Sequence, residues 1–497
     1  MKNEWLSSFP CSSLAIPHSH HAFISSSLHR VLASSHLIVM ASLLLLPLGC
    51  SAERPPRIED YVPRSAIVQR DAGEASAMPA LSEPLALDAC VRIALDNNPV
   101  QRAAREGVAA AQHAIGEARS AYYPRIDGIV GFSRLEAHNL LQLDSAGIPG
   151  FTGDISPRNS YIFVGILTYT LYDFGNRRAQ LKAAMARRGV AEGELLRARQ
   201  DIALNVYRAF YALQVAQEAR AVAQKSVERA ADNAMLARER RILGAAPEID
   251  VLRAEVDLAQ ARLDLVRATS QLRTARGNLN TAMGLPVEMA VDVRPPPDRL
   301  VSPETIDLPA ALEQAVHLRP ELMSSLNRVD EARRSVAAAR SAFGPRISLD
   351  AVYLQQGEHL FPEGQAWLYG VFASYPLFEG LLKVRRLSRT KAELAQAEAN
   401  TAGAVLQVRS DVWLAHSRLS EAYEAVNAAD VLVQRAEESY RTVRERYRNE
   451  AAIVNELLDA QTALARAEAS AVQARWQYRT AEAEFRRAVG TLAGNDE

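Results

Sequence analysis

Apolar residues occupy both alternating faces of Tyr161–Gly175 (YIFVGILTYTLYDFG). Tyr161, Phe163, Leu167, Tyr169 and Leu171 share one face, and Ile162, Val164, Ile166, Thr168 and Thr170 share the other, because strand side chains alternate with period two. Gly175 ends the β-branched run. From Asn176 the chain turns to Ala, Leu, Arg, Glu and Gln, with no proline before Pro247. That composition predicts a helix, on the order of 100 Å long at about 1.5 Å per residue. The returning segment steps by three and four through Ile249, Leu252, Val256, Ala259, Leu263 and Val266, the spacing of a left-handed coiled-coil seam.

The pattern is written twice. Leu87–Asn98 and Leu308–Leu318 are short helical segments stopped by Pro99 and Pro320, and Pro124-Arg125-Ile126 returns as Pro345-Arg346-Ile347. After each proline comes a strand, Ile126, Gly128, Val130 and Phe132 answering Ile347, Leu349, Ala351 and Tyr353. Tyr169–Gly175 is echoed by Tyr375–Gly380, Val206-Tyr207 by Val412-Trp413, Arg238-Glu239-Arg240 by Arg444-Glu445-Arg446, and Gly284 by Gly490. A match that is gapless across about forty positions, keeps both prolines and holds a constant register again past the hairpins decides the architecture. The first repeat covers 85–292, with strands near 125–134 and 160–172 and long helices over 176–243 and 247–283. The second covers 307–497, with strands near 346–354 and 366–378 and long helices over 381–449 and 452–490. Pro295-Pro296-Pro297 and Pro303 mark an extended linker over 293–306.

Composition narrows the setting. A formal net charge of −1 gives no field for holding nucleic acid, and the interspersed 23% of charged residues fit long solvated helix faces. Aromatics, only 6% of the chain, gather in Tyr122–Phe174 and Phe343–Phe378, as interface girdles do; two small aromatic cores are the plainer alternative. Leu37–Leu48 is an apolar run of signal-peptide length, too short to span a bilayer. It ends in Leu48-Gly49-Cys50-Ser51, which resembles a bacterial lipobox with Cys50 as the lipidated residue, although Pro47 stands where leucine is usual. A cut after Ala52 is the competing reading, and both export the protein. The leader therefore covers 1–50 and an extended Pro- and Ala-rich arm 51–84. Cys11 and Cys90 imply no disulfide framework, and His113, His138, His317, His359 and His416 are scattered without metal-ligand spacing.

An exported chain without a mature transmembrane helix crosses a bilayer only as a closed β-barrel, and four strands cannot close one, since small barrels need about eight. The chain therefore has to oligomerise. From about Leu85 onward the doubled short helix–proline pattern, the doubled strand exits (LYDFG, LFEG) and the return segments 244–254 and 450–460 resemble the TolC family of outer-membrane efflux proteins. The lipobox points to its lipoprotein branch. The resemblance implies a mainly α fold with a membrane β part. Long helical hairpins would form an α-barrel, and four strands per chain would enter the twelve-stranded β-barrel of a homotrimer in the outer membrane, helices in the periplasm.

The same resemblance implies roles for particular residues. Glu456 and Asp459, three apart and so on one helix face, match the acidic rings of the periplasmic aperture. Asp250 and Tyr447 match a pair that links helices and latches the tip. The family's arginine partner falls on Ala452, with Arg448 a possible replacement, and the glycine usual at the second return turn falls at Asn449-Glu450. The expected partners are a periplasmic adaptor and an inner-membrane pump of RND type. A type I secretion channel with an ABC pump is the alternative, and a pore-less periplasmic coiled-coil scaffold is the alternative of another class. No cofactor and no enzymatic activity are expected: the chain has no Walker-type phosphate loop and no nucleophile–base constellation.

Overall fold

A computed structural model of the protein describes residues 84–135, 158–295, 300–360 and 364–492. The leader with Cys50, the arm up to 83 and residues 296–299 of the linker lie outside the described residues. In chain order the elements are α1 (Leu87–Asn97), α2 (Pro99–Ser120), β1 (Arg125–Leu135), β2 (Arg158–Tyr172), α3 (Asn176–Ile242) and α4 (Glu248–Ala282). The second half repeats them as α5 (Leu308–Leu318), α6 (Pro320–Ser341), β3 (Arg346–Gly357), β4 (Gly364–Ser374), α7 (Leu382–Arg448) and α8 (Val454–Val489). Three of the four equivalent pairs agree residue for residue, α1 and α5 with 11, α2 and α6 with 22, α3 and α7 with 67, and α4 and α8 have 35 and 36.

The four strands form one antiparallel sheet in the order β1-β2-β3-β4, so β1 and β4 are its edges. β4 stops at Ser374, short of Phe378 where the apolar run of the sequence ends. Pro376 has no N–H to give a ladder, and the segment from Tyr375 leaves the sheet instead. Helices enter after prolines at their first turn, where a missing N–H costs nothing: Pro99 follows Asn98, whose side chain accepts from the Val100 N–H at 2.9 Å.

α3 and α7, 67 residues each, are long enough for shorter helices to pack beside them one after another. Along α3, Arg187 and Glu194 pair with Glu331 and Arg328 of α6, while Arg208 and Arg229 pair further down with Glu484 and Glu468 of α8. The two stacking points are equivalent in the two repeats. Asn98 donates to the Ala282 carbonyl at the end of α4 (3.3 Å), and Arg319 to the Ala488 carbonyl at the end of α8 (3.2 Å). Each joint needs a glycine. Gly284 and Gly490 take φ of 73° and 94°, and a Cβ on either would lie about 3 Å from the chain of the abutting helix pair.

Arg319 is the more heavily held of the two stacking residues. Its side chain is 3% exposed and bonds to Glu321 and Asp411, and Glu321 in turn accepts from Arg487, which also holds Asp201 of α3. A buried cation so surrounded stabilises only while its partners remain. Arg319→Ala is expected to lower unfolding stability by about 3 kcal/mol, read as a lower denaturation midpoint of the detergent-solubilised protein. A midpoint equal to wild type would show that the network does not clamp the repeats together.

Candidate functional site

The two long hairpins turn at Leu243–Pro247 and Asn449–Ile453, between α3 and α4 and between α7 and α8. The turns share one design. Arg240 donates to the Ala245 carbonyl at 3.3 Å, and its repeat counterpart Arg446 donates to the Ala451 carbonyl at 3.0 Å. Gly244 sits at φ 77° and Glu450 at φ 61°. The second turn therefore keeps the left-handed backbone without the glycine, at a cost of about 1–2 kcal/mol for a residue with a Cβ.

Behind the turns, Tyr440, Tyr447, Val454, Leu457 and Leu464 form the core of the second hairpin, whereas Ala234, Ala237, Val251 and Ala254 form that of the first. Tyr447 is 1% exposed. The Arg240 guanidinium lies 4.4 Å over its ring and donates to its backbone carbonyl at 2.8 Å. The cation that meets Tyr447 thus comes from the first hairpin; Arg448 makes no such contact. Burial pushes the Tyr447 hydroxyl above its ordinary pKa, with Arg240 pulling it down and Asp250 adding to the rise. Asp250 stands close enough to be felt, yet its ion pair is with Arg253 at 3.9 Å.

Glu456 and Asp459 are both exposed on α8. Glu456 comes within 4.0 Å of Arg446 in its own hairpin. Asp459 lines a groove of about 590 Å³ between α4 and α8, together with Arg253, Asp257, Gln260 and Asn455. From this groove a polar chain crosses all four helices of the tip. Asp257 of α4 accepts from Gln461 of α8 at 2.7 Å, Gln461 accepts from Asn233 of α3, and Asn233 accepts from Tyr440 of α7 at 3.4 Å. Burial raises the Asp257 pKa, against the bond from Gln461. Sequence reasoning missed this chain. Its trace was a polar residue inside an apolar 3–4 spacing, Gln461 between Val454, Leu457 and Leu464.

At the other end of the molecule the strand register sorts side chains by chemistry. Phe132, Val130 and Ile126 oppose Tyr161, Phe163 and Leu167. On the same face, Tyr353, Ala351 and Leu349 oppose Trp367, Tyr369 and Val371. The reverse face carries Asp127, Ser133, Thr168, Ser348, Asp350 and Gln356 among its apolar residues. One side is thus fit for hydrocarbon and the other for water.

A two-faced sheet continued by two helical hairpins defines a segment of a channel wall. Residues 90–285 and 311–491 match the family described as outer membrane efflux protein, and the chain belongs to that family. It is 27% identical to Protein CyaE of Bordetella pertussis over 350 residues, covering 68% of this chain and 71% of that one. It is 25% identical over 418 residues to the probable efflux pump outer membrane protein TtgC of Pseudomonas putida, covering 82% and 83%. The fold is also that of the Campylobacter jejuni CmeC outer membrane channel, with a TM-score of 0.71, 19% identity and coverage of 82% and 86%. Like these efflux-pump relatives, the chain is an outer-membrane channel component rather than a pore-less scaffold.

Glu450→Gly is expected to stabilise the second turn by about 0.5–1 kcal/mol, because relief of the left-handed backbone outweighs the added freedom of the unfolded chain. Amide hydrogen exchange around Tyr447–Ile453 reads it: slower exchange is expected, and faster exchange would show that Glu450 holds the turn through its side chain.

Proposed function

We propose that the chain is the passive exit duct of a tripartite efflux system, working as a homotrimer coupled to a periplasmic adaptor and an inner-membrane pump of RND type. The observation that carries this reading is the two-faced, four-stranded sheet with both edges open. Unpaired backbone groups are not tolerated in hydrocarbon, and three copies complete a twelve-stranded barrel of the size of known outer-membrane channels. The helices carry the same message. α4 leaves Ile249, Leu252, Val256 and Val266 exposed, and α7 leaves Leu406, Trp413 and Leu432 exposed, so each copy offers an apolar stripe on both flanks. The duct performs no enzymatic step, and energy comes from the pump. Cys50, acylated, anchors the arm in the inner leaflet of the outer membrane, adding to the hold of the barrel.

In the trimer Glu456 and Asp459 line the periplasmic aperture in two rings, which draw cations and repel anions. Arg446 beside Glu456 offsets part of the lower ring, leaving Asp459 the stronger of the two. Asp250 and Tyr447 hold the tip closed, with Arg240 supplying the cation that Ala452 cannot.

Glu456→Ala/Asp459→Ala is expected to reduce cation preference and block by multivalent cations in planar-bilayer recordings, with Asp459→Ala alone giving most of the effect. Selectivity unchanged in the double variant would remove both carboxylates from the pore. Cys50→Ala with the leader kept is expected to abolish labelling by radioactive palmitate. Labelling that persists would reject Cys50 as the acceptor.

A further inference from the structure

The two repeats meet inside the chain where β2 pairs with β3, and the same kinds of element stand free at its flanks. Tyr161 opposes Gly357, Gly165 opposes Tyr353 and Leu167 opposes Ala351 across that internal joint. The repeat equivalence within the sheet is close. Phe132 faces Tyr161 across the first hairpin with ring centroids 4.9 Å apart at 46°, and Tyr353 faces Trp367 across the second at 4.5 Å and 47°. β4 is therefore the counterpart of β2, and β1 the counterpart of β3. Each is an 11-residue strand that pairs with one neighbour only among the described strands, and a stable sheet covers such an edge.

A second feature marks the joint. Below β2 the chain leaves the sheet through Phe174 at φ 54°, and its ring lies where a Cβ on Gly344, between α6 and β3, would be 2.3 Å away. At the flanks the sizes are exchanged. Gly380 stands in the place of Phe174 with nearly the same backbone, φ 59°, and nothing lies within 4 Å of where its Cβ would be. Tyr123 stands in the place of Gly344 and is 71% exposed. A large residue meets a small one inside the chain, and the reverse pair is left unmet on its two sides.

We infer that the joint between neighbouring copies of this chain repeats the joint within it. β4 of one copy pairs antiparallel with β1 of the next in the register of β2 on β3, so Val371 lies opposite Phe132 and Ala373 opposite Val130, while Tyr123 seats on Gly380. This rests on the trimeric reading above and adds to it a register and a residue-level contact. The exchange of sizes also separates the two kinds of joint: Phe174 would clash with Tyr123, so a sheet edge cannot close on the wrong strand without leaving one aromatic ring unhoused.

Cysteine pairs test the register. Directly opposed residues of an antiparallel pair lie about 4.5–5.5 Å apart at Cα, within disulfide reach, whereas a two-residue slip takes them beyond it. The full-length protein carrying Phe132→Cys with Val371→Cys, or Val130→Cys with Ala373→Cys, is oxidised in outer membranes and resolved on denaturing gels. Covalent dimers and trimers are expected from both pairs, and not from Phe132→Cys with Ala373→Cys or from any single cysteine. Light scattering in detergent gives the oligomeric state independently. A trimer in which only the slipped pair cross-links overturns the register alone, and a monomer overturns the trimeric reading with it. Gly380→Phe is expected to lower the temperature at which the trimer dissociates, and Tyr123→Gly/Gly380→Phe, which copies the internal joint, to recover it. A trimer indifferent to Gly380→Phe, or a double variant without recovery, would show that Tyr123 does not seat there.

Discussion

Everything in this molecule follows from backbone groups that a four-stranded sheet cannot satisfy by itself. Among the described strands, β1 and β4 are each paired on one side only. In water such an edge invites aggregation, and in hydrocarbon each unmet group costs several kcal/mol. No helix among the described residues is long and apolar enough to cross a membrane. A wall segment of this kind is unfinished by design, and its helices are arranged to be unfinished in the same direction.

Duplication solves the geometry at little cost in information. One unit, written twice with three of the four equivalent helix pairs equal in length, lets each copy of the chain supply two near-identical sectors, so a trimer approximates sixfold symmetry. The departures from identity lie where the two sectors must do different things. The first hairpin packs largely on alanines and the second on Tyr440, Tyr447 and Leu457. Arg319 replaces Asn98 at the second stacking point and gathers carboxylates from α6 and α7, and Arg487, which shares Glu321, carries the network to Asp201 of the earlier half.

The fold was legible in the sequence because its signals were doubled. A strand exit such as Tyr169–Gly175 is weak alone, and its echo at Tyr375–Gly380 removed the ambiguity that periodicity leaves between a buried strand and a helix. Side-chain partnerships were less legible, for a physical reason: they join residues that are distant in sequence and carry no spacing rule. Arg240 is one turn from a return loop and reads as a solvated charge, yet it meets Tyr447 more than two hundred positions away. Asn233 and Asp257 are equally ordinary on their own helices and become a network only through Gln461. Glu450 shows the opposite limit. The glycine usual at the second turn is replaced at Asn449-Glu450, and Glu450 takes the left-handed conformation regardless, because two flanking helices and Arg446 determine the turn more strongly than one residue's preference opposes it.

What holds the four helices of the tip together can be weighed by magnitude. The ion pairs there, Arg238 with Glu255, Arg241 with Glu248 and Arg446 with Glu456, join side chains that are 40% exposed or more. Pairs of that kind contribute about 0–1 kcal/mol each and less in salt. Tyr447 and Leu457 are almost wholly buried, and burying such side chains contributes about 1.5–3 kcal/mol each. Packing therefore holds the tip together more than its surface ion pairs do. Packing is also incomplete at one point: the Tyr447 hydroxyl finds no acceptor among the described residues, a defect of about 1–3 kcal/mol when no partner is present.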